Sequence, residues 1–302
     1  MTIVGLPLTY GQDIEMTPIQ LSKSAWYVQG VSALGSSKNQ NFISNAGFVI
    51  TSQGVVVIDA LGSPPLALRL VKEIQKITDL PITHVIITHY HADHIYGLQT
   101  FKALGAHVIA QRSALSYLNS ETAKLRLQAS RQQMSPWINE STQLIFADEW
   151  IDGKKTLEVG NIKFVIEPVG PSHTPEDLSI FLADEKVLFV GDLVFRNRIP
   201  FVGQANSQHW ISALDSLLRF DAMVIVPGHG PVSNNAKKDM LQTRNYLSFL
   251  RSSMGKAAEN MEPFDSAYAS TDWSSFEKLP LFKAANRMNA YNTYLLMEHE
   301  SK

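Results

Sequence analysis

The run Thr88-His89-Tyr90-His91-Ala92-Asp93-His94 packs three histidines and one aspartate into six residues. Imidazole nitrogens beside a carboxylate oxygen are donors that zinc takes well, and iron or manganese accepts the same mixture. Without an ion, so many ionisable groups would be costly to bury together. His89 and His91 stand two apart, so both rings can reach one ion from an extended turn. Asp93 and His94 fall where apolar residues resume (Ile95, Leu98, Phe101), a helix start, and so project from a different direction. One ion could hardly satisfy all four.

Three later residues share this setting. His173 lies in Gly170-Pro171-Ser172-His173-Thr174-Pro175, Asp192 follows Gly191, and His229 lies in Pro227-Gly228-His229-Gly230. Each comes after an apolar run and a small-residue turn, so strand ends could bring them to one sheet edge, where α/β folds bind ligands. Asp59 ends another aliphatic run and reads either as a turn residue or as a partner that orients a ligand histidine. His84, His107, His209 and His299 fall outside the pattern and read as structural or surface residues.

The elements that must carry these residues follow from periodicity. Trp26 to Val31, Ala46 to Thr51 and Val55 to Asp59 read as strands, with a turn at Ser52-Gln53-Gly54, and Ile82 to Ile87 reads as a buried strand. A helix should start at Ser63-Pro64-Pro65, Ser63 as N-cap, and run to about Thr78. Ile95 to Leu104 reads as helix and Ala106 to Ala110 as strand. The polar stretch Arg112 to Met134 is expected to be one long helix, ending at Ser135-Pro136-Trp137, a candidate cover for the site. Strands are expected at Leu144 to Phe146, Thr156 to Val159, Ile162 to Val169, Leu178 to Leu182, Val187 to Val190 and Met223 to Val226. A helix at Ser207 to Phe220 and helices over Asn235 to Lys256 and Ala284 to Glu298 complete the chain. No linker or repeat marks a boundary, so one domain over 20–232 with a helical C-terminal extension over 233–302 is expected.

At 302 residues and 45% hydrophobic, the chain can bury a full core. A net charge of −2 with no basic run argues against nucleic acid. No apolar stretch of membrane-spanning length and no export signal are visible, so a soluble chain without a membrane partner is expected. The absence of cysteine removes disulfides and thiolate ligands.

The order and spacing of the seven residues resemble the metallo-β-lactamase superfamily, in particular its two-metal branch with the hydroxyacylglutathione hydrolases. The resemblance runs from about Trp26 to Gly230. It implies a four-layer αβ/βα sandwich, an α/β fold. It also implies that His89, His91 and His173 hold one zinc ion, that Asp93, His94 and His229 hold a second, and that Asp192 bridges the two. Asn41 to Phe48, Val55 to Gly62, Arg198-Ile199-Pro200-Phe201-Val202-Gly203 and Asn286 to Asn292 further look like zinc hydrolase-like proteins found with bacterial sulfur-oxidation and quinoprotein systems. A bacterial cytoplasmic or periplasmic setting fits that likeness. Thr174-Pro175-Glu176-Asp177 departs from the glutathione-thioester enzymes and puts glutathione recognition in doubt.

The expected reaction is hydrolysis of a small ester, thioester, lactone or related substrate by zinc-bound hydroxide, with Asp93 orienting the nucleophile or carrying its proton. Tyr90 and Tyr96 flank the ligands, and Arg196 and Arg198 follow Asp192; all four are candidate substrate contacts, the arginines suiting an anion. A mononuclear iron oxygenase acting on persulfides uses a subset of the same ligands and stays open, as does a β-lactamase. The helices after Asn235 suit a substrate pocket, a partner or a homodimer interface, and the sequence does not choose among them.

Overall fold

The computed structural model describes residues 14–203 and 205–300. The first residues, on which the expectation of no export signal rests, lie outside these. Seven strands form the first sheet in chain order: β1 (Ile19–Gln20), β2 (Ala25–Val28), β3 (Ala46–Ile50), β4 (Val55–Ile58), β5 (Ile82–Ile86), β6 (His107–Gln111) and β7 (Glu149–Ile151). Pairing is antiparallel up to β4 and parallel from β4 to β7. Every residue of β4 is buried, as a strand covered on both faces requires. Five strands form the second sheet: β8 (Lys155–Val159), β9 (Ile162–Pro168), β10 (Leu178–Leu182), β11 (Val187–Phe195) and β12 (Val224–His229). Their order is β12-β11-β10-β9-β8, with only β11 and β12 parallel.

Strand alternation sorts the side chains into layers. Val57 and Val85 face outward onto Leu66, Leu70 and Ile74 of α1 (Pro64–Gln75) and Phe101 of α3 (Leu98–Ala103). Val56, Ile58, Ile86 and Ile109 face inward and meet Phe164, Ile166, Ile180 and Phe189 of the second sheet. The far face of that sheet, with Leu188 and Val190, packs on Trp210 and Leu214 of α6 (Ser207–Leu217) and on Leu247 and Leu250 of α7 (Ala236–Glu259). Each such aliphatic or aromatic side chain contributes about 1.5–3 kcal/mol on burial. The result is the expected four-layer sandwich. The C-terminal helices α7, α8 (Phe264–Ser270) and α9 (Phe282–Glu300) share the outer core with α6 and β11.

Four local expectations are corrected. Leu144 and Ile145 are half-buried against the first core without a ladder partner, and the strand forms later, at β7. The expected helix from Arg112 is two, α4 (Ala114–Leu118) and α5 (Glu121–Gln133), because the Ser120 side chain accepts the Ala123 N–H and starts a new helix. The one expected over Ile95 to Leu104 divides into α2 (Ala92–Ile95) and α3 where Gly97 lies against the Ala60 carbonyl, too close for a side chain. Ser63 stands at the N-cap of α1 but makes no capping bond; its hydroxyl lies 3.4 Å from the Gln40 carbonyl, while the prolines at the helix start lack the N–H groups a cap would serve. No helix among the described residues is long and apolar enough to cross a membrane.

Candidate metal centre

The seven predicted ligands converge from both sheets. The β5–α2 turn carries His89 and His91, α2 carries Asp93 and His94, the β9–β10 loop carries His173, β11 carries Asp192 within its length and β12 ends at His229. Glycine makes this convergence possible. A Cβ at Gly191 of β11 would run into Thr88 across the two sheets, and one at Gly228 of β12 into the Asp192 carboxylate on the neighbouring strand β11, so both approaches need a bare position. Asn45 ties β3 to the β12 loop: its Nδ2 donates to the carbonyls of Pro227 and Gly230 at 2.8 Å each, and its N–H donates to the Gly228 carbonyl at 2.7 Å. Asp177 shapes the His173 loop, accepting the Thr174 N–H and hydroxyl at 2.8 Å each.

The donor atoms form two groups, His89, His91, His173 and Asp192, and Asp93, His94 and His229. Four-coordinate zinc with bonds of roughly 2.0–2.1 Å sets neighbouring ligand atoms roughly 3.3–3.4 Å apart. In the first group His89 Nε2 and His91 Nδ1 are 3.1 Å apart, His91 Nδ1 and His173 Nε2 3.0 Å, and His173 Nε2 and Asp192 Oδ2 3.3 Å. In the second, Asp93 Oδ2 is 3.3 Å from His229 Nε2 and 3.7 Å from His94 Nε2. Asp192 also reaches this group, with Oδ2 3.3 Å from His229 Nε2 and Oδ1 3.2 Å from His94 Nε2. His94 Nε2 and Asp192 Oδ1 are buried with no hydrogen bond. Orphaned, converging lone pairs at these spacings fit a pair of cations.

The tautomers are set from behind. His94 Nδ1 lies 2.9 Å from Asp59 Oδ2, so it carries the proton and turns the Nε2 lone pair inward. Asp59 is itself held by the Thr88 N–H at 2.8 Å and the Thr88 hydroxyl at 2.8 Å, and that hydroxyl lies 3.1 Å from His89 Nδ1. One carboxylate thus orders two ligands, the second role read for Asp59 in the sequence. His229 Nδ1 lies 2.7 Å from the Ile43 carbonyl, which can only accept, and so Nε2 is again the free donor.

Electrostatics favour the ligand forms of His89, His91, His173 and Asp192, whereas His94 is held toward its protonated form and must lose a proton to a bound cation. Burial holds the His89 imidazole well below its ordinary pKa and takes His91 down to about 4 and His173 to about 3, so these rings are neutral at pH 7. Burial also lowers His94, but the carboxylates of Asp192, Asp59 and Asp93 together lift it well above the ordinary value. Burial raises Asp192, yet His229, His94 and His89 outweigh this and keep it ionised.

The predicted substrate contacts are placed differently. Tyr90 is fully buried against Trp150, its hydroxyl 3.4 Å from the Ile145 carbonyl. Arg196 is committed to Asp239 at 2.8 Å and to the Pro231 and Val232 carbonyls at 3.0 Å each. Arg198 is 1% exposed, between Phe195 and Phe201, with Nη1 3.0 Å from His229 Nδ1 on the side away from the ligand atom. Packing encloses Tyr90 and Arg198, an ion pair and two carbonyls hold Arg196, and Arg198 Nη2 is buried with no hydrogen-bond partner. Tyr96 is buried too, but its hydroxyl has no well-formed partner. Thr88, the Ile43 carbonyl and Asn45 carry no ligand-type signal in the sequence, though Asn45 lies within the Asn41 to Phe48 segment that carries part of the resemblance.

The sequence profile of the metallo-beta-lactamase superfamily matches residues 40–229, and the chain belongs to that superfamily. A metallo-beta-lactamase type 2 of Bacillus cereus is 27% identical over 220 residues, 71% of this chain and 77% of its own length. A linear primary-alkylsulfatase of Pseudomonas sp. (strain ATCC 19151) is 24% identical over 238 residues, 66% of this chain and 44% of its own. In fold, the chain is similar to a metallo-beta-lactamase from Pontibacter korlensis, with a TM-score of 0.60 and 21% identity over 78% of this chain and 99% of that one. It is also similar to a sec-alkylsulfatase from Pseudomonas sp., with a TM-score of 0.72 and 16% identity over 93% of this chain and 50% of that one.

Proposed function

We propose that the protein is a hydrolase working with two metal ions, zinc by preference, on a small ester, thioester, lactone or related substrate. The observation that carries this reading is the Asp192 carboxylate, which lies within 3.3 Å of His173 from one donor group and of His94 and His229 from the other. His89, His91 and His173 would hold the first ion, Asp93, His94 and His229 the second, and Asp192 both. Bound there, the pair would lower the pKa of a coordinated water toward ~7 and polarise the scissile oxygen.

The chain's own part is positioning and proton handling. Asp59, Thr88 and the Ile43 carbonyl keep three imidazoles in the tautomer that faces inward. Asp93 is the acid group for the proton: its side chain is 15% exposed, against 5% for Asp192, so it borders solvent while touching His229. No covalent intermediate on the protein is required.

Sulfate ester hydrolysis is a second reading, supported by the sec-alkylsulfatase likeness, whose 93% span takes in most of the helices after Asn235 whereas the lactamase likeness spans 78%.

Elemental analysis of protein purified without added metal tests the main reading, followed by hydrolysis assays on lactones, thioesters, carboxylic esters, sulfate esters and β-lactams. About two zinc ions per chain, and activity lost to chelator and restored by zinc, is the expected outcome. Asp192→Ala should cut turnover by several orders of magnitude with the fold intact. One iron per chain with oxygen uptake on a persulfide would overturn the hydrolase.

A further inference from the structure

Behind the second donor group lies a buried positive charge short of acceptors. Arg198 is 1% exposed, and its guanidinium carbon stands 5.5 Å from the centre of the Phe195 ring and 5.4 Å from that of Phe201. Nε has only the Ile199 carbonyl at 3.4 Å, Nη1 faces His229 Nδ1 at 3.0 Å, and Nη2 is buried with no hydrogen-bond partner. The Nη1 contact supplies no acceptor either. A metal on His229 Nε2 leaves the ring proton on Nδ1, where the Ile43 carbonyl takes it at 2.7 Å. The neighbouring Arg196, by contrast, has Asp239 at 2.8 Å. The carboxylates whose charge reaches Arg198 are Asp192 and Asp93, and both belong to the donor groups that a metal would claim.

The Arg198 side chain borders a cavity of about 10 Å³, the room that one water-sized occupant needs. Its wall is mainly apolar, from Phe195, Ile199, Phe276 and Leu279, and α7 adds Gln242 and Thr243. None of the seven metal ligands lines it. The side-chain acceptors from α7 are already spent. Thr243 Oγ1 accepts the Phe195 N–H at 3.1 Å and donates to the Phe195 carbonyl at 3.3 Å, and Gln242 Oε1 accepts the Asn197 N–H at 3.3 Å. What this wall offers an occupant is a guanidinium and the Gln242 amide N–H₂, both donors.

We propose that this cavity is a binding site for a small monovalent inorganic anion of the halide class, held by the Arg198 guanidinium and balancing its charge. A buried charge left uncompensated is strongly destabilising. Water could accept from Nη2 but brings no charge, and it needs acceptors for its own protons. A halide brings the charge and needs only donors, whereas a carboxylate or a phosphate exceeds the space. The site lies apart from the metal centre and does not rest on the hydrolase reading.

The test uses zinc-loaded full-length protein, wild type and Arg198→Met, with zinc content matched by elemental analysis. Sodium chloride or bromide replaces sodium gluconate, whose anion is far too large for the cavity, at constant ionic strength while thermal unfolding is followed. The wild-type midpoint should rise saturably by about 2–5 °C, as for a ligand taken to roughly 10–100 times its dissociation constant, and that of Arg198→Met should stay flat. Crystals of the wild type soaked in sodium bromide give a measurement that needs no variant: anomalous scattering should place a bromide beside the Arg198 guanidinium. A wild type that responds no more than Arg198→Met would overturn the site, since a halide bound to zinc stabilises both. Bromide at the zinc ions alone, with only water beside Arg198, would overturn it as well, and this map decides should Arg198→Met fail to fold.

Discussion

Replacing Asp59 by asparagine removes one charge and almost no volume at a position whose φ of +64° asparagine tolerates. The side-chain oxygen can still accept from His94 Nδ1 or from Thr88, but the second oxygen becomes an N–H₂ that faces donors. Three contacts are at stake: His94 Nδ1 at 2.9 Å, the Thr88 N–H at 2.8 Å and the Thr88 hydroxyl at 2.8 Å. A hydrogen bond to a buried charge is worth about 1.5–3 kcal/mol, against about 1 for a neutral one. The loss for His94 alone is then about 1–2 kcal/mol, and reorientation of Thr88 reaches His89 as well. Partners of this kind typically account for roughly 10- to 100-fold in metal affinity. Zinc affinity of Asp59→Asn, measured by competition with a chromophoric chelator, should fall within that range. The weakening should appear in both sites, the His94 site more. Circular dichroism and thermal unfolding of the metal-free variant check that the fold is kept. Wild-type zinc affinity in a folded Asp59→Asn would refute the argument that this carboxylate sets the ligand tautomers.

Three further outcomes are expected. Gly228→Ala should lose zinc and activity together, because the added methyl meets the Asp192 carboxylate; a variant with full zinc content would contradict the close approach of Gly228 in β12 to Asp192 in β11. Asn289→Ala breaks the bonds from Asn289 Nδ2 to the Pro200 carbonyl at 2.7 Å and from the Val202 N–H to Asn289 Oδ1 at 2.9 Å. Leaving both backbone groups buried and unpaired should cost about 2–5 kcal/mol, readable as a lower urea midpoint. Finally, burial depresses His89, His91 and His173 in the folded chain, to about 4 for His91 and about 3 for His173. The unfolded chain therefore binds more protons below the ordinary histidine range, so metal-free stability falls as pH drops through that range toward 4, and His94, raised, offsets only part. Urea midpoints at pH 7 and pH 5 measure the sign; a higher midpoint at pH 5 would show that His94 dominates.

The ligands were legible because most sit within a few residues of a strand end, so spacing in sequence stands for spacing in space. His89 to His94 need only β5 and a helix start, His173 and His229 only a strand end, and Asp192 a glycine-marked position inside β11. The layers were legible too, since β4 is an unbroken apolar run and β10 and the first half of β12 are mainly apolar. What failed was any inference that let closeness in sequence stand for closeness across the fold. Arg196 and Arg198 follow Asp192 within a few residues, but β11 runs on to Phe195, and the chain then turns them toward Asp239 and the back of His229. Leu144 to Phe146 has the composition of a strand, but Leu144 and Ile145 are held by packing and a Tyr90 hydroxyl contact instead of a ladder, and Phe146 is exposed, a distinction that composition does not carry.

The tail shows how far the site extends past the last ligand. The superfamily profile ends at residue 229, yet the segment following the β11 end is held by residues much later in the chain. The Ile199 N–H donates to the Pro280 carbonyl at 3.0 Å, and Asn289 and Asn292 of α9 bind Pro200, Val202 and Gly203. Asn289 in turn donates to Tyr246 of α7 at 3.0 Å, and Tyr246 donates to Asn286 at 2.8 Å. These are two of the four stretches, 198–203 and 286–292, that carried the narrower resemblance, and in the fold they are one contact. A polar network buried this completely is costly unless every member is satisfied, so it fixes one arrangement of α7 and α9 against the loop. Arg198 is the loop's first residue and lies against His229. The C-terminal helices thereby act on the second donor group through backbone hydrogen bonds, without any residue of theirs entering it.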